Sequence, residues 1–141
     1  MTKIKVTDGT EQFRPFVYVI ANKGLHMSGG KLAAQVAHAV MMAAADQSKE
    51  LFKQWTNSMH RTIIVLEADD EAHMRNIHSY LSERGFRMSL IIDEGVNEIT
   101  PYTVTAMASE VLDRNDPNVA AAFGSFKLYS DPIKVTLEIP R

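Results

Sequence analysis

Cysteine is absent from this chain of 141 residues. That excludes disulfides, thiolate catalysis and cysteine-ligated zinc, and it fits a reducing, cytoplasmic setting. Long apolar runs are missing too: no stretch approaches the roughly 20 residues a bilayer-spanning helix needs, so no membrane partner is expected. The opening MTKIKVTDGTEQ is polar and alternating, unlike a signal or transit peptide. Positive charge is not in excess, with 15 Lys and Arg against 17 Asp and Glu. Proteins that coat nucleic acid nonspecifically draw most of their affinity from phosphate contacts, so this balance argues against that class. A local basic patch from Lys23, Lys31, Arg87 and Lys127 stays open. The chain also lacks a P-loop, a G-x-G-x-x-G turn and a G-x-S-x-G elbow. His73 and His78 diverge on a helix and make a poor metal pair, so no metal site is expected.

What is present reads as one ordinary globular domain, with 45% hydrophobic and 23% charged residues. Phe16–Ala21 is apolar on both parities, as a strand covered on both faces requires. Helices are expected over Lys31–Ala45 and Ser48–Asn57, followed by a β-branched strand, Thr62–Leu66. Asp69 and Asp70 signal the start of a helix that runs to Arg84, and Gly85 suits a left-handed cap. Strands are expected over Phe86–Ile92 and Thr103–Ser109, separated by a polar loop from Asp93 to Pro101. A short helical turn spans Asp116–Phe123, with Pro117 in its first turn. The order implies a three-layer α/β/α fold with a mixed, mostly parallel four-stranded sheet. Ile4 and Val6, and Ile133, Val135, Leu137 and Ile139, alternate with polar residues. Both ends therefore read as extra half-buried strands, 1–14 and 130–141, flanking a core of 15–129.

The most informative segment is KLAAQVAHAVMMAAA, from Lys31 to Ala45. At about 100° per residue its polar residues Lys31, Gln35 and His38 share one arc, apart from an apolar stripe of Leu32, Val36, Ala39, Val40 and Ala43. A glycine turn, His26-Met27-Ser28-Gly29-Gly30, precedes it. Strand, turn and helix N-terminus expose backbone N–H groups suited to an anion. The plainer alternative is a solvated first-turn lysine above ordinary core packing.

The run Gly30-Lys31-Leu32-Ala33-Ala34-Gln35-Val36-Ala37-His38-Ala39 resembles the G-K-[IL]-A-A-Q-x-x-H-A of the archaeal and eukaryotic type of peptidyl-tRNA hydrolase. The resemblance resumes at Ser89-Leu90-Ile91-Ile92-Asp93-Glu94-Gly95, at Ile99-Thr100-Pro101 and at Phe126-Lys127-Leu128-Tyr129. It implies an α/β domain, often a homodimer, that cleaves the ester between a peptide and the tRNA 3′ end without metal or organic cofactor. Peptidyl-tRNA is then the expected partner. By the same resemblance Lys31, Asp93 and Thr105 form the catalytic set, joined by His26. Gly29, Gly30, Gln35, His38 and Asn97 contact substrate. The sequence departs from the family at His26 and Gly29, where lysines are usual, and at Val96 and Asn97, where arginine and threonine are. A non-catalytic RNA-binding or protein-interaction module is the alternative function.

Ester hydrolysis needs an oriented water, an acceptor for its proton and stabilisation of the oxyanion. Asp93, at a strand end, suits the first two, or else holds the Gly95 turn through backbone N–H groups. Lys31 suits the third. Thr105, read as sharing a strand face with Thr103 and Met107, holds water or Asp93, or is simply a β-former.

Overall fold

A computed structural model of the chain describes residues 12–93 and 102–130. The expected terminal strands, the Gly95 turn and Asn97 lie outside the described residues. Strand β1 (Pro15–Asn22) leads through a one-turn 3-10 helix (Lys23–Leu25) into α1 (Gly29–Asp46) and α2 (Lys49–Thr56). Then come β2 (Thr62–Ala68), α3 (Glu71–Glu83), β3 (Met88–Asp93), β4 (Thr103–Ser109), β5 (Leu112–Asp113) and α4 (Pro117–Phe123). The four long strands stand in the order β2-β1-β4-β3. β1 and β2 are parallel, while β4 runs antiparallel to both β1 and β3. Three of the four long strands therefore share one direction. The two-residue β5 pairs with the start of β1 and has no counterpart in the sequence reading, because two residues carry no periodicity.

Local chemistry explains the element ends. Ser28, Ser48, Asp70 and Asp116 each accept a backbone N–H as N-caps of α1 to α4. Gly85 takes φ 85° beyond α3, and the Phe86 N–H reaches back to the Leu81 carbonyl at 3.0 Å. That is the left-handed cap glycine permits at low cost. Trp55 sends its indole N–H to the Thr62 carbonyl at 2.9 Å, tying α2 to the start of β2.

Two cores lie on opposite faces of the sheet. One packs Phe16, Tyr18, Ile20, Leu66, Val104 and Met107 against α3 and α4. The other packs Val17, Val19, Ala106 and Ala108 against Ala39 and Ala43 of α1, with Leu51, Phe52 and Trp55 of α2 alongside. The layers are thus α/β/α. Burial raises the Tyr18 phenol pKa; Arg114 pulls it down, and Asp113 adds to the rise. No helix among the described residues is long and apolar enough to cross a membrane.

Candidate active site

The site forms where the ends of β1 and β3 and the start of β4 meet the N-terminus of α1. Asn22, the last residue of β1, is buried and accepts the Gly24 N–H at 3.1 Å. Gly24 is needed there, since a Cβ would sit 2.4 Å from the Asp69 carbonyl oxygen. His26 follows with φ 51°, an uncommon left-handed setting for a non-glycine residue. Ser28 then caps α1 by accepting the Lys31 N–H at 3.3 Å. Gly29 and Gly30 face open space, where a Cβ would meet nothing within 4 Å, so neither is required by packing.

This turn delivers Lys31 to Asp93. The Lys31 Nζ lies 2.8 Å from Asp93 Oδ2, with side chains only 16% and 6% exposed. Gln35, one turn along α1 and buried, donates its Nε2 to the same Oδ2 at 3.4 Å. Its Oε1 accepts the Thr105 hydroxyl at 2.5 Å, and Thr105 is fully buried. The directions follow from chemistry: an ionised carboxylate only accepts, so the Gln35 amide nitrogen faces Asp93 and its oxygen faces Thr105. Lys31, Asp93, Gln35 and Thr105 thus form one continuous chain. At such depth the carboxylate depends on its cation, because an uncompensated buried charge is costly.

Two sequence expectations need correction. Gln35 does not stand apart from the buried stripe of α1; it lies on it, with Ala39 and Ala43. His38 is exposed and lies beside Met41, Met42, Ala45 and Ile91, away from the Lys31–Asp93 pair. The arc of three is therefore divided: one residue half-buried, one buried, one on the surface. Thr105, for its part, does not share a face with Met107. Ile91 pairs with Ala106 and Ile92 with Val104, so Thr105 is the extra residue of a β-bulge. Thr105 and Ala106 consequently both face α1, while Val104 and Met107 face α3.

His26 is exposed, and among the described residues no hydrogen bond or ion pair joins it to the four. The four basic residues Lys23, Lys31, Arg87 and Lys127 do not share one partner either: Lys31 pairs with Asp93, while Lys23 and Lys127 both act on Glu67. Arg87 stands beyond the far end of β3 from Asp93, where it donates to the Asp46 carbonyl. Lys23 pairs with Glu67 at 3.1 Å, also donates to the Ser130 carbonyl, and lies 5.7 Å from the Tyr129 ring centroid. Burial pushes the Glu67 carboxyl up, but the Lys23 hydrogen bond, the Ser130 N–H and the charges of Lys23 and Lys127 outweigh it and hold its pKa below the ordinary value. The described residues contain no group of three His, Cys, Asp or Glu placed to hold a metal ion.

A model of the family described as peptidyl-tRNA hydrolase PTH2 matches residues 16–129, the span from β1 through the segment after α4. The chain belongs to this family. A relative from Haloquadratum walsbyi, named peptidyl-tRNA hydrolase, is 33% identical over 111 residues, covering 79% of this chain and 96% of its own. Another of that name from Pyrobaculum aerophilum is 37% identical over 116 residues, 78% of this chain and 94% of its own. A solved structure of a protein of unknown function from Agrobacterium tumefaciens strain C58 aligns with a TM-score of 0.57 at 20% identity. It covers 84% of this chain and 100% of that one, a likeness of fold. Within the PTH2 match lie all four linked residues. It also includes two buried or half-buried contributors that sequence reading passed over, Asn22 and Glu71. Nothing in a single sequence separates Asn22 from a strand-terminating turn residue, or Glu71 from helix-start chemistry.

Proposed function

We propose that the chain hydrolyses the ester joining a peptide to the 3′ end of tRNA, with Lys31, Asp93, Gln35 and Thr105 as its reaction centre. The Lys31–Asp93 ion pair carries this reading, because it sets a carboxylate and a cation side by side at a helix N-terminus. Asp93 orients a water and takes its proton as the water oxygen attacks the ester carbonyl carbon. The Lys31 ammonium stabilises the oxyanion that develops. When the ester C–O bond breaks, the ribose oxygen leaves with the proton that Asp93 had taken. Gln35 and Thr105 hold the carboxylate in place; the Thr105 hydroxyl donates to Gln35 and leaves the amide nitrogen to Asp93.

His26, Gly29, Gly30, His38 and Asn97 are the residues proposed to meet the tRNA end. His26, Gly29, Gly30 and His38 are all exposed, as a contact with so large a substrate requires. The reading extends to a cytoplasmic location and a homodimer. Release of peptide from an N-acylaminoacyl-tRNA by the wild type, and its loss in Lys31→Ala and Asp93→Ala, is the expected result. A wild type that binds tRNA without turnover, with binding retained in Asp93→Asn, would instead establish a non-catalytic module.

A further inference from the structure

We propose that Asn22 and Glu71 are positioning residues: together they clamp the backbone of Val104 and so hold the bulge that turns Thr105 towards Gln35. The inference rests on the reaction centre proposed above. Side chains in a regular strand alternate between faces. Counting back from Ala106, which faces α1, regular alternation would aim Thr105 at α3 and away from Gln35. The extra residue between the Ile91–Ala106 and Ile92–Val104 pairs reverses that. A bulge disrupts the ladder, so it persists only where other partners secure the backbone.

Both backbone polar groups of Val104 have side-chain partners. Its N–H donates to Glu71 Oε1 at 3.3 Å, and its carbonyl accepts from Asn22 Nδ2 at 3.0 Å. Neither clamp is free to turn away. Asn22 is 1% exposed, and its Oδ1 is committed to the Gly24 N–H. The other Glu71 oxygen is held by Arg75, at 2.8 Å from Nη2 and 3.1 Å from Nε. Asn22 stands where the β1–β4 ladder has ended, its last register pair being Ala21 with Ala106. Its side chain therefore continues a strand contact that backbone no longer makes. It also joins the bulge to the turn that carries Lys31, so one buried amide links the two halves of the site.

The test measures kcat and KM for N-acylaminoacyl-tRNA hydrolysis, with amide hydrogen exchange at Val104 and Thr105. Glu71→Ala is expected to lower kcat about tenfold and to leave KM within about twofold, since the clamp acts through Thr105 and not through substrate binding. Exchange at Val104 should accelerate in the same variant. Glu71→Gln should restore both, because its amide oxygen still accepts the Val104 N–H while the exposed Arg75 guanidinium, facing the amide nitrogen, turns to solvent. Asn22→Asp, which places an oxygen against the Val104 carbonyl, should cost more; if it fails to fold, the Glu71 pair decides alone. Wild-type kcat in Glu71→Ala, or a loss that Glu71→Gln does not repair, overturns the clamp. A wild type that releases no peptide overturns the hydrolase reading instead. Exchange then judges the clamp separately, and unchanged Val104 protection in Glu71→Ala overturns it.

Discussion

On the face covered by α3 and α4 the sheet presents Phe16, Tyr18, Ile20 and Met107, met by Met74, Leu81 and Phe123. On the face covered by α1 it presents Val17, Val19, Ala106 and Ala108, met by Ala39 and Ala43. The first face buries large side chains, and the Tyr18 and Phe123 rings stack at 4.5 Å between centroids. Under α1 the second is built from small ones, which let helix and sheet approach closely, while its larger side chains, Leu51, Phe52 and Trp55, belong to α2. On that side Gln35 bridges from α1 to the Thr105 hydroxyl of β4, whereas from the other side Glu71 of α3 reaches only the Val104 backbone N–H. Apolar burial scales with area removed from water, so the large-residue face carries more of the stability. The small-residue face carries the polar chain.

If the two faces divide labour in this way, Phe123→Ala should destabilise the fold by about 3–5 kcal/mol in urea unfolding, with kcat per folded molecule unchanged. A fall in kcat beyond the unfolded fraction would mean the faces are not separable. On the opposite side Lys31→Ala should lower kcat by about 10²–10³-fold in a domain that still folds by circular dichroism. Between these extremes, Ala43→Leu should cost about 1–3 kcal/mol through overpacking. It should also lower kcat, because α1 is pushed from β4 and Gln35 loses reach; unchanged kcat would show that close approach is not what the site requires.

The smallest effect is expected at the edge of β2, outside both cores. The Glu67 carboxyl is held below the ordinary value of 4.5. A depressed carboxyl contributes its stability in full above that value and loses it as pH falls through the lower folded one. Lys23→Ala should therefore flatten the acid limb of the stability profile below about pH 4.5. An unchanged limb would place the source of acid sensitivity elsewhere.

Wherever a signal is local, the sequence declares it. The apolar strand at Phe16 and the cap residues Asp70 and Gly85 need only near neighbours along the chain to be read. The run from Gly30 to Ala39 and the Asp93 segment also announce the PTH2 family. The resemblance groups Lys31, Asp93 and Thr105 with His26 and gives Gln35 to the substrate, whereas the structure links Gln35 to the first three and leaves His26 exposed. The error over Thr105 has a different source. Parity reasoning assumes an unbroken ladder, and the bulge depends on what β3 offers opposite β4. Asn22 and Gly24 were illegible for the same reason, since their partners lie at Val104 and Asp69.

Residue identity and period thus determined the layers, the helix ends and the family, because backbone propensity and solvent exclusion act over a few residues. Tertiary packing decided that Gln35 is buried and His38 exposed, that Lys23 pairs with Glu67, and that Thr105 faces α1. Those outcomes depend on which distant groups must satisfy one another's hydrogen bonds and charges once water is gone. That accounting closes only when the strands are side by side.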